Sequence, residues 1–484
     1  MDGLSLVAST GETGQKGRML ARLKPFSLPL VILGLTVLRL VAAGRAGLVP
    51  DEAYYWLWAQ HPALGYYDHP PMVAWWIEAF GWLGHAAFVV RLPFVLSFLA
   101  LSWLVYDICK VLFDQAVARR AVLWVNACIL LSVGSVIATP DPPSVLMWAG
   151  GLWALARLQA SNKGWWWLVF GVFAGLGVEA KYTNFFLGLG VIAWMIVDKP
   201  SRRWLLTPWP YLGAVVAAAF MAPNLMWNAE HHWITVAKQF GRIEASHFTG
   251  QYLVEFILTQ PLLLNPLIFA FVYIGTFGAF QNKDSRLRML AALPLPLLAY
   301  LLIHVFHDRI QGNWPAPVYP GLVILAAVMA EGISDGKLNR ARDWAAPVGI
   351  TISAVVLLLL ALSPNLPAAG PLGGWRPFAT GVNQYAKAAS AGWIATTDYD
   401  TQGELSYYSA TPIGMAQKAR YPWQAPEPTG STALIVVAPN HPFDLSLCFD
   451  DVRDLGTISR GKPGKKADFH LYSGVLRQAD CELK

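Results

Sequence analysis

Charge is what this 484-residue chain has least of: Asp, Glu, Lys and Arg make up 14% of it, where an ordinary soluble domain carries about 25%. The shortfall excludes a disordered scaffold, which needs charge and polarity to stay solvated. Four cysteines in so long a chain exclude a small disulfide module, and no CxxC or HExxH spacing supplies a metal or redox site. No collagen-like composition is present either. In place of charge there are apolar and aromatic side chains: 55% of residues are hydrophobic, with 22 Trp, 17 Tyr and 23 Phe. Apolar runs of about 16 to 24 residues recur through the first roughly 360 positions, the length needed to cross a bilayer. The pattern implies a polytopic α-helical membrane protein.

A net charge of +6 and a pI near 9.0 would suggest a nucleic-acid partner in a soluble protein. Here the basic residues fall in small groups between apolar runs: Lys16 to Lys24, Lys110 with Arg119 and Arg120, Arg157 with Lys163, Lys199 to Arg203, Lys283 to Arg288, and Lys337 to Arg342. Every second loop is skipped, as expected when cytoplasmic loops hold the positive charge. The charge therefore encodes orientation. Taken literally, the alternation predicts about eleven transmembrane helices, near 26–44, 88–109, 121–138, 143–160, 165–180, 183–197, 206–222, 256–279, 289–305, 316–332 and 344–362. The N-terminus is then inside. The first run, which no small-residue cleavage site follows, reads as a retained signal anchor.

The composition changes after Ser363, where Pro, Gly, Asp and Tyr become common and apolar runs shrink to strand length. This divides the chain into a transmembrane domain, 1–362, with an outer first loop at 45–87, and a soluble domain, 363–484, placed outside by the odd span count. Trp393 to Tyr399, Leu434 to Ala438 and Phe469 to Leu476 read as strands and Thr401 to Ser409 as a helix, giving a small α/β unit. Cys448 and Cys481 fall in that unit, where an oxidising compartment allows them to pair or leaves them free.

Ionisable groups inside or beside a membrane mark function more often than they do elsewhere, and here five polar pieces map to the outer side. They are Pro50-Asp51-Glu52-Ala53-Tyr54-Tyr55-Trp56, Tyr67-Asp68-His69-Pro70-Pro71, Thr139-Pro140-Asp141-Pro142-Pro143, Glu179-Ala180-Lys181-Tyr182-Thr183, and a stretch from His304 through His307-Asp308-Arg309 to Asn313-Trp314-Pro315. Each has a plain structural reading. Asp51 can cap a helix from Ala53 to Gln60 with Glu52 in its first turn, and Asp141 can cap the fourth span. His69 can serve a turn; Lys181 can pair with Glu179 or another acid, and Arg309 with Asp308 or Asp141. Arg45 and Arg91, near span ends, can snorkel or pair. Each also has a functional reading. Asp51 can act as general base toward a hydroxyl, with Glu52 and Asp141 as further catalytic acids. Lys181, Arg309 and His69 can hold a phosphate, and Tyr55, Tyr67, Asp68, Tyr182, Asn313 and Trp314 can line a sugar. Carboxylates, cations and aromatics on one face of a bundle suit a lipid-linked phosphate as substrate.

The same five pieces, in this order, resemble the family 39 and related bacterial glycosyltransferases of the GT-C membrane fold, which include protein mannosyltransferases and the aminoarabinose transferases of lipid A. The resemblance covers about residues 26 to 330. It implies transfer of a sugar from a polyprenyl (undecaprenyl) phosphate to lipid A, lipopolysaccharide or another envelope glycan, by a single inverting displacement on the periplasmic face of a bacterial inner membrane. Asp51 matches the family's catalytic aspartate and Asp141 a second acid that organises the site; Lys181 falls near a position associated with the donor phosphate. One departure is visible: the aminoarabinose transferases resemble Lys-Pro-Pro where this chain has His69-Pro70-Pro71. No metal or other cofactor is required, because a phosphate leaving group needs no acid. Some relatives of the fold use a divalent cation, which Asp51 with Asp141 could hold. Two rival readings stay open, protein O-mannosylation with the same chemistry and a carrier or flippase for a lipid-linked anion, although no inverted repeat is evident.

Overall fold

The computed structural model describes residues 27–481 except 245–247, 334–335, 363–372, 415–417, 440, 442, 462–463, 465–466 and 480. The basic group at Lys16 to Lys24 and the expected domain start at 363 lie outside the described residues. The chain opens with α1 (Ser27–Arg45), followed in the first loop by two short helices, α2 (Pro50–Ala59) and α3 (Met72–Phe80). A helical bundle continues through α4 (Ala87–Leu112), α5 (Gln115–Ala127), α6 (Ile129–Gly134), α7 (Asp141–Ser161), α8 (Trp166–Ala180), α9 (Phe185–Val197), α10 (Trp209–Glu230) and α11 (Ile234–Glu244). It ends with α12 (Leu253–Leu264), α13 (Pro266–Gln281), α14 (Ser285–Ala292), α15 (Leu295–His304), α16 (Tyr319–Gly332) and α17 (Gly336–Leu362).

Each expected span coincides with helix, but not every span is one helix. Among the described residues five helices are long and apolar enough to cross a membrane unaided, or six if the bent pair α12–α13 counts as one. Helix length alone thus supports five or six crossings where the sequence pattern suggests eleven. The stretch expected at 256–279 is broken by a 106° bend at Asn265. Asn265 sits at φ 109°, its side chain accepts the Leu267 N–H at 3.0 Å and donates to the Ala345 carbonyl at 2.9 Å, and Pro266 starts the next helix. A left-handed Asn followed by a proline at the first helical position is a strong stop-and-restart signal.

Lipid-facing and interior surfaces can be told apart. In α1 the large exposed apolar residues are Leu30, Leu33, Val37 and Val41, and in α17 they are Trp344, Val348, Ile352, Val355, Leu358, Leu359 and Leu362. Spacings of three and four put each set on one helix face. In α16, by contrast, Val323 to Ala327 are completely enclosed, as in a helix surrounded on all sides. Close approach of α8 to α10 depends on Gly171 and Gly175, since a Cβ at either would stand 2.2 Å or 2.5 Å from a carbonyl of Gly213 or Ala217. Small residues four apart permit that contact where no water is present to drive association.

The C-terminal unit contains α18 (Trp375–Ala388), β1 (Trp393–Thr396), α19 (Tyr399–Tyr408), β2 (Ile413–Gly414), β3 (Thr432–Val437), β4 (Phe449–Ser459) and β5 (Asp468–Leu476). The strands form a mixed sheet of order β2-β1-β3-β5-β4, parallel about β1 and antiparallel from β3 onward. The expected strands and helix are present; α18, β2 and β4 were not anticipated, β4 because its exposed face carries polar residues and gives no apolar run. Helix α19 starts two residues earlier than expected, because Asp398 caps it by accepting the Thr401 N–H at 2.8 Å. Cys448 and Cys481 form a disulfide with Cα atoms 5.5 Å apart, within a cluster including Trp393, Ile435 and Phe449.

Candidate active site

The first loop folds over the bundle because one buried ion pair fixes it. Glu52 is completely enclosed; its carboxylate accepts the Arg91 guanidinium, the Val49 N–H at 3.0 Å and the Ala138 N–H at 2.8 Å. Arg91 also donates to the carbonyls of Ala43, Ala46 and Gly47. Both oxygens of Glu52 are thus committed to holding α2 on α4, and it does not line the cavity described below. Its expected catalytic role is corrected to a structural one, and Arg91 is a pairing residue. Asp51, rotated about 100° around the same helix, faces the other way. Neither Asp51 nor Asp141 is a helix cap: the caps are Val49 and Pro140, and the aspartates stand in the first turns of α2 and α7. Their carboxylates are thereby available for tertiary contacts.

A cavity of about 630 Å³ lies between the first loop, the bundle and the C-terminal unit. All five polar pieces reach it: Asp51, Tyr54 and Tyr55; Asp68 and His69; Thr139 and Asp141; Lys181 and Tyr182; and His304, Gln311, Asn313 and Trp314. The Lys181 ammonium donates to Asp141 Oδ1 at 2.7 Å, and the Asn313 amide donates to Asp141 Oδ2 at 2.5 Å. Lys181 reaches Asp141 because α8 ends at Ala180 and the backbone turns extended at Lys181. Tyr182 donates to Asn224 Oδ1 at 2.7 Å, and Asn224 in turn donates to the Leu64 carbonyl at 3.0 Å, tying α10 to the first loop. A second, apolar cavity of about 230 Å³, lined by Phe98, Leu101, Leu131 and Val145, shares Thr139, Asp141 and Asn313 with the first.

Besides Glu52, two expected site residues lie outside the cavity lining. Arg309 is exposed at the surface and paired with Glu255 of α12, Nε to Oε1 at 3.0 Å, and it does not line the cavity. Tyr67 is half-buried beneath Arg420, whose guanidinium lies 5.0 Å from its ring centroid. It supports the wall and is not part of the lining.

The C-terminal unit supplies what the sequence reading missed. Tyr399 and Arg420 both line the cavity. The Tyr399 hydroxyl donates to Asp51 Oδ1 at 3.3 Å, Arg420 pairs with Asp68, and the Tyr54 hydroxyl donates to Asp68 Oδ2 at 3.0 Å. The Arg420 guanidinium also stacks over Tyr399, 4.4 Å from its centroid. No local motif marks either residue. Their only signal is that an isolated tyrosine and arginine sit in a segment otherwise read as separate.

Asp51 is accessible to water across the cavity yet densely surrounded by protein. That crowding raises its pKa above the ordinary carboxylate range; the Tyr399 hydroxyl opposes the rise, Asp68 and Glu52 add to it, and Arg420 opposes it. Burial, then the charges of Asp51, Asp68 and Asp141, keep the Tyr55 hydroxyl well above its usual range. Tyr55 is therefore a neutral surface within electrostatic reach of all three aspartates.

Residues 68–227 match the family model described as dolichyl-phosphate-mannose-protein mannosyltransferase. Over the whole fold the chain superposes on ArnT from Cupriavidus metallidurans bound to undecaprenyl phosphate, with TM-score 0.67, 15% identity, and 92% of this chain and 97% of that one covered. The apo form of the same protein gives 0.66. The chain has the GT-C fold. This GT-C protein is also a multi-pass membrane protein. It is 27% identical over 319 residues to lipid A galacturonosyltransferase RgtD of Rhizobium johnstonii, covering 63% of this chain and 65% of that protein. It is 23% identical over 321 residues to undecaprenyl phosphate-alpha-4-amino-4-deoxy-L-arabinose arabinosyl transferase 2 of Proteus mirabilis, covering 61% and 56%. The matched segments thus span less than two thirds of each curated relative.

Proposed function

We propose that this GT-C protein is an inverting glycosyltransferase that moves a sugar from a polyprenyl phosphate to lipid A or another envelope glycan on the outer face of the inner membrane. The observation that carries the reading is one cavity that joins a crowded, water-accessible carboxylate at Asp51 to a cation at Lys181 held by Asp141, which Asn313 in turn fixes. The relatives support the substrate class: one is a lipid A galacturonosyltransferase, one an undecaprenyl-phosphate aminoarabinose transferase, and the superposed ArnT holds undecaprenyl phosphate.

The acceptor hydroxyl gives its proton to the Asp51 carboxylate as its oxygen attacks the anomeric carbon. The bond from that carbon to the phosphate oxygen breaks, and its electron pair leaves on the phosphate. Lys181, with His69 nearby in the lining, neutralises that charge in a low-dielectric site. Tyr55, Tyr182 and Trp314 offer rings and hydroxyls to the sugar. The apolar cavity that shares Asp141 and Asn313 suits the first isoprene units of the donor. With Asp51 and Lys181 on the first loop's side of the bundle, the C-terminal unit lies on the same outer face, and its disulfide suits an oxidising compartment.

The test is mass spectrometry of lipid A and envelope glycolipids from cells lacking the protein, rescued with the native chain or Asp51→Asn. Loss of the base should reduce transfer by about 10²- to 10⁴-fold while membrane insertion stays normal. A sugar restored only by the native chain supports the reading. Rescue by both chains would favour transport, and a sugar lost from glycoproteins instead of glycolipids would favour a protein acceptor.

A further inference from the structure

We propose that the C-terminal unit is a working wall of the active site, with Tyr399 and Arg420 as positioning residues that hold Asp51 and Asp68 in their reactive arrangement. The inference rests on the transferase reading and assigns part of the site to a unit that follows the last helix of the bundle.

Three independent features of the interface carry it. First, contact between α19 and α2 is backbone-close: a Cβ at Gly403 would meet Tyr54 N at 3.0 Å, Tyr54 Cα at 3.2 Å and the Ala53 carbonyl carbon at 3.3 Å. Such proximity is more than a tether needs, and it fixes the N-terminal turn of α19 beside Asp51. Second, two of the side chains that cross the interface end on carboxylates of the cavity, Tyr399 on Asp51 and Arg420 on Asp68. Third, each is itself held. Asp398 caps the helix that begins at Tyr399, and the Tyr421 hydroxyl donates to the Tyr399 carbonyl at 3.4 Å. Arg420 is clasped between the rings of Tyr399 and Tyr67. A latch that served only to join two units would have no reason to end on the acids of the cavity. The contact between the Tyr407 hydroxyl and the His85 carbonyl, at 2.7 Å, is a latch of that plain kind.

A hydroxyl that donates to a carboxylate favours its charged form. The other groups facing Asp51 are Glu52, which is paired with Arg91, then Asp68, Arg420, Asp400 and the neutral Tyr55. None of these is removed by Tyr399→Phe, which keeps the ring and deletes the hydroxyl alone. The base should then be harder to ionise, and the acid limb of the pH–rate profile should move to higher pH, with turnover recovered when pH is raised. Arg420→Lys keeps the charge and loses the planar fork; it should lower kcat on the order of a hundredfold, the cost of misplacing a reacting group by about an ångström, and leave donor KM little changed.

The experiment uses the full-length protein in detergent with the polyprenyl-phosphate donor and glycolipid acceptor identified by the rescue above. Turnover from pH 5 to 9 is compared for the native chain, Tyr399→Phe, Arg420→Lys and the latch variant Tyr407→Phe, each checked by its thermal transition. The expected result is a shifted acid limb for Tyr399→Phe, reduced kcat for Arg420→Lys and a native profile for Tyr407→Phe. Native profiles for Tyr399→Phe and Arg420→Lys, with the native enzyme active, overturn this inference alone. So does a Tyr399→Phe loss that is equal at every pH, which a merely structural role produces. A native chain without turnover overturns the transferase reading, and the inference with it.

Discussion

Substituting Gly403 by alanine isolates the fit between the two units without touching a functional group. In a helix interior alanine is favoured over glycine by about 1 kcal/mol, so by local propensity Gly403→Ala should stabilise α19. Opposing this, the new methyl would stand 3.0 to 3.3 Å from backbone atoms of Ala53 and Tyr54, which cannot rotate away as a side chain can. Overpacking of this kind costs roughly 1–3 kcal/mol, so relief by a few tenths of an ångström of helix displacement is the expected response. The hydrogen bond from Tyr399 to Asp51 is already 3.3 Å long, and such a displacement takes it past the useful limit of about 3.5 Å. Turnover should fall several-fold toward the hundredfold that about an ångström of misplacement costs, while undecaprenyl phosphate binding, followed by native mass spectrometry, stays unchanged because Lys181 and Asp141 are untouched. Native turnover and an unshifted pH profile in a folded Gly403→Ala protein would refute the claim that this contact sets the geometry of Asp51.

Other consequences follow from single residues. Lys181→Ala removes a charge-assisted contact worth about 1.5–3 kcal/mol and should raise donor KM roughly 10- to 150-fold, whereas Arg309→Ala should leave donor KM alone; equal effects of the two in steady-state kinetics would contradict the assignment. Burial holds the Glu404 carboxyl well above its ordinary value of 4.5, and burial and neighbouring acids raise Asp400 to about 6. Because the folded state then binds more protons than the unfolded one, this contribution is complete below the unfolded values and is lost as pH rises through the folded ones. The C-terminal transition in thermal unfolding should therefore be lower at pH 8 than at pH 4.5, and Glu404→Gln should flatten that slope; a flat native curve would count against it. Cys448→Ser opens a bridge across 33 residues and should cost about 3–4 kcal/mol of C-terminal stability by loop entropy, read as a lower denaturant midpoint under non-reducing conditions.

The apolar runs, the basic loops and the five polar pieces are local or periodic properties, and the sequence alone was enough to determine a polytopic helical protein with Asp51, Asp141 and Lys181 on one side of it. Apolar period fixes which helix faces meet lipid, as in α1 and α17, because the bilayer rewards nothing else. Which acid of a neighbouring pair faces the cavity was not legible. Asp51 and Glu52 differ by one position, and only the location of Arg91 and the Ala138 N–H decides that Glu52 is the one enclosed. Arg309 and Lys181 looked alike for the same reason: whether a lone cation meets a ligand or an acid depends on what packs opposite, here Glu255 for one and Asp141 in the cavity for the other. The bend at Asn265 has a local signature, Asn-Pro, but its 106° angle and the hydrogen bond from Asn265 to the Ala345 carbonyl of α17 are not local properties. Tyr399 and Arg420 stand about 350 positions from the acids they hold, and no pattern in one chain reports a contact at that separation. Sequence periodicity determined what faces lipid and which residue types gather on one side; tertiary packing alone decided which of them share one cavity, because ion pairing and hydrogen bonding act through distances that only the folded chain defines.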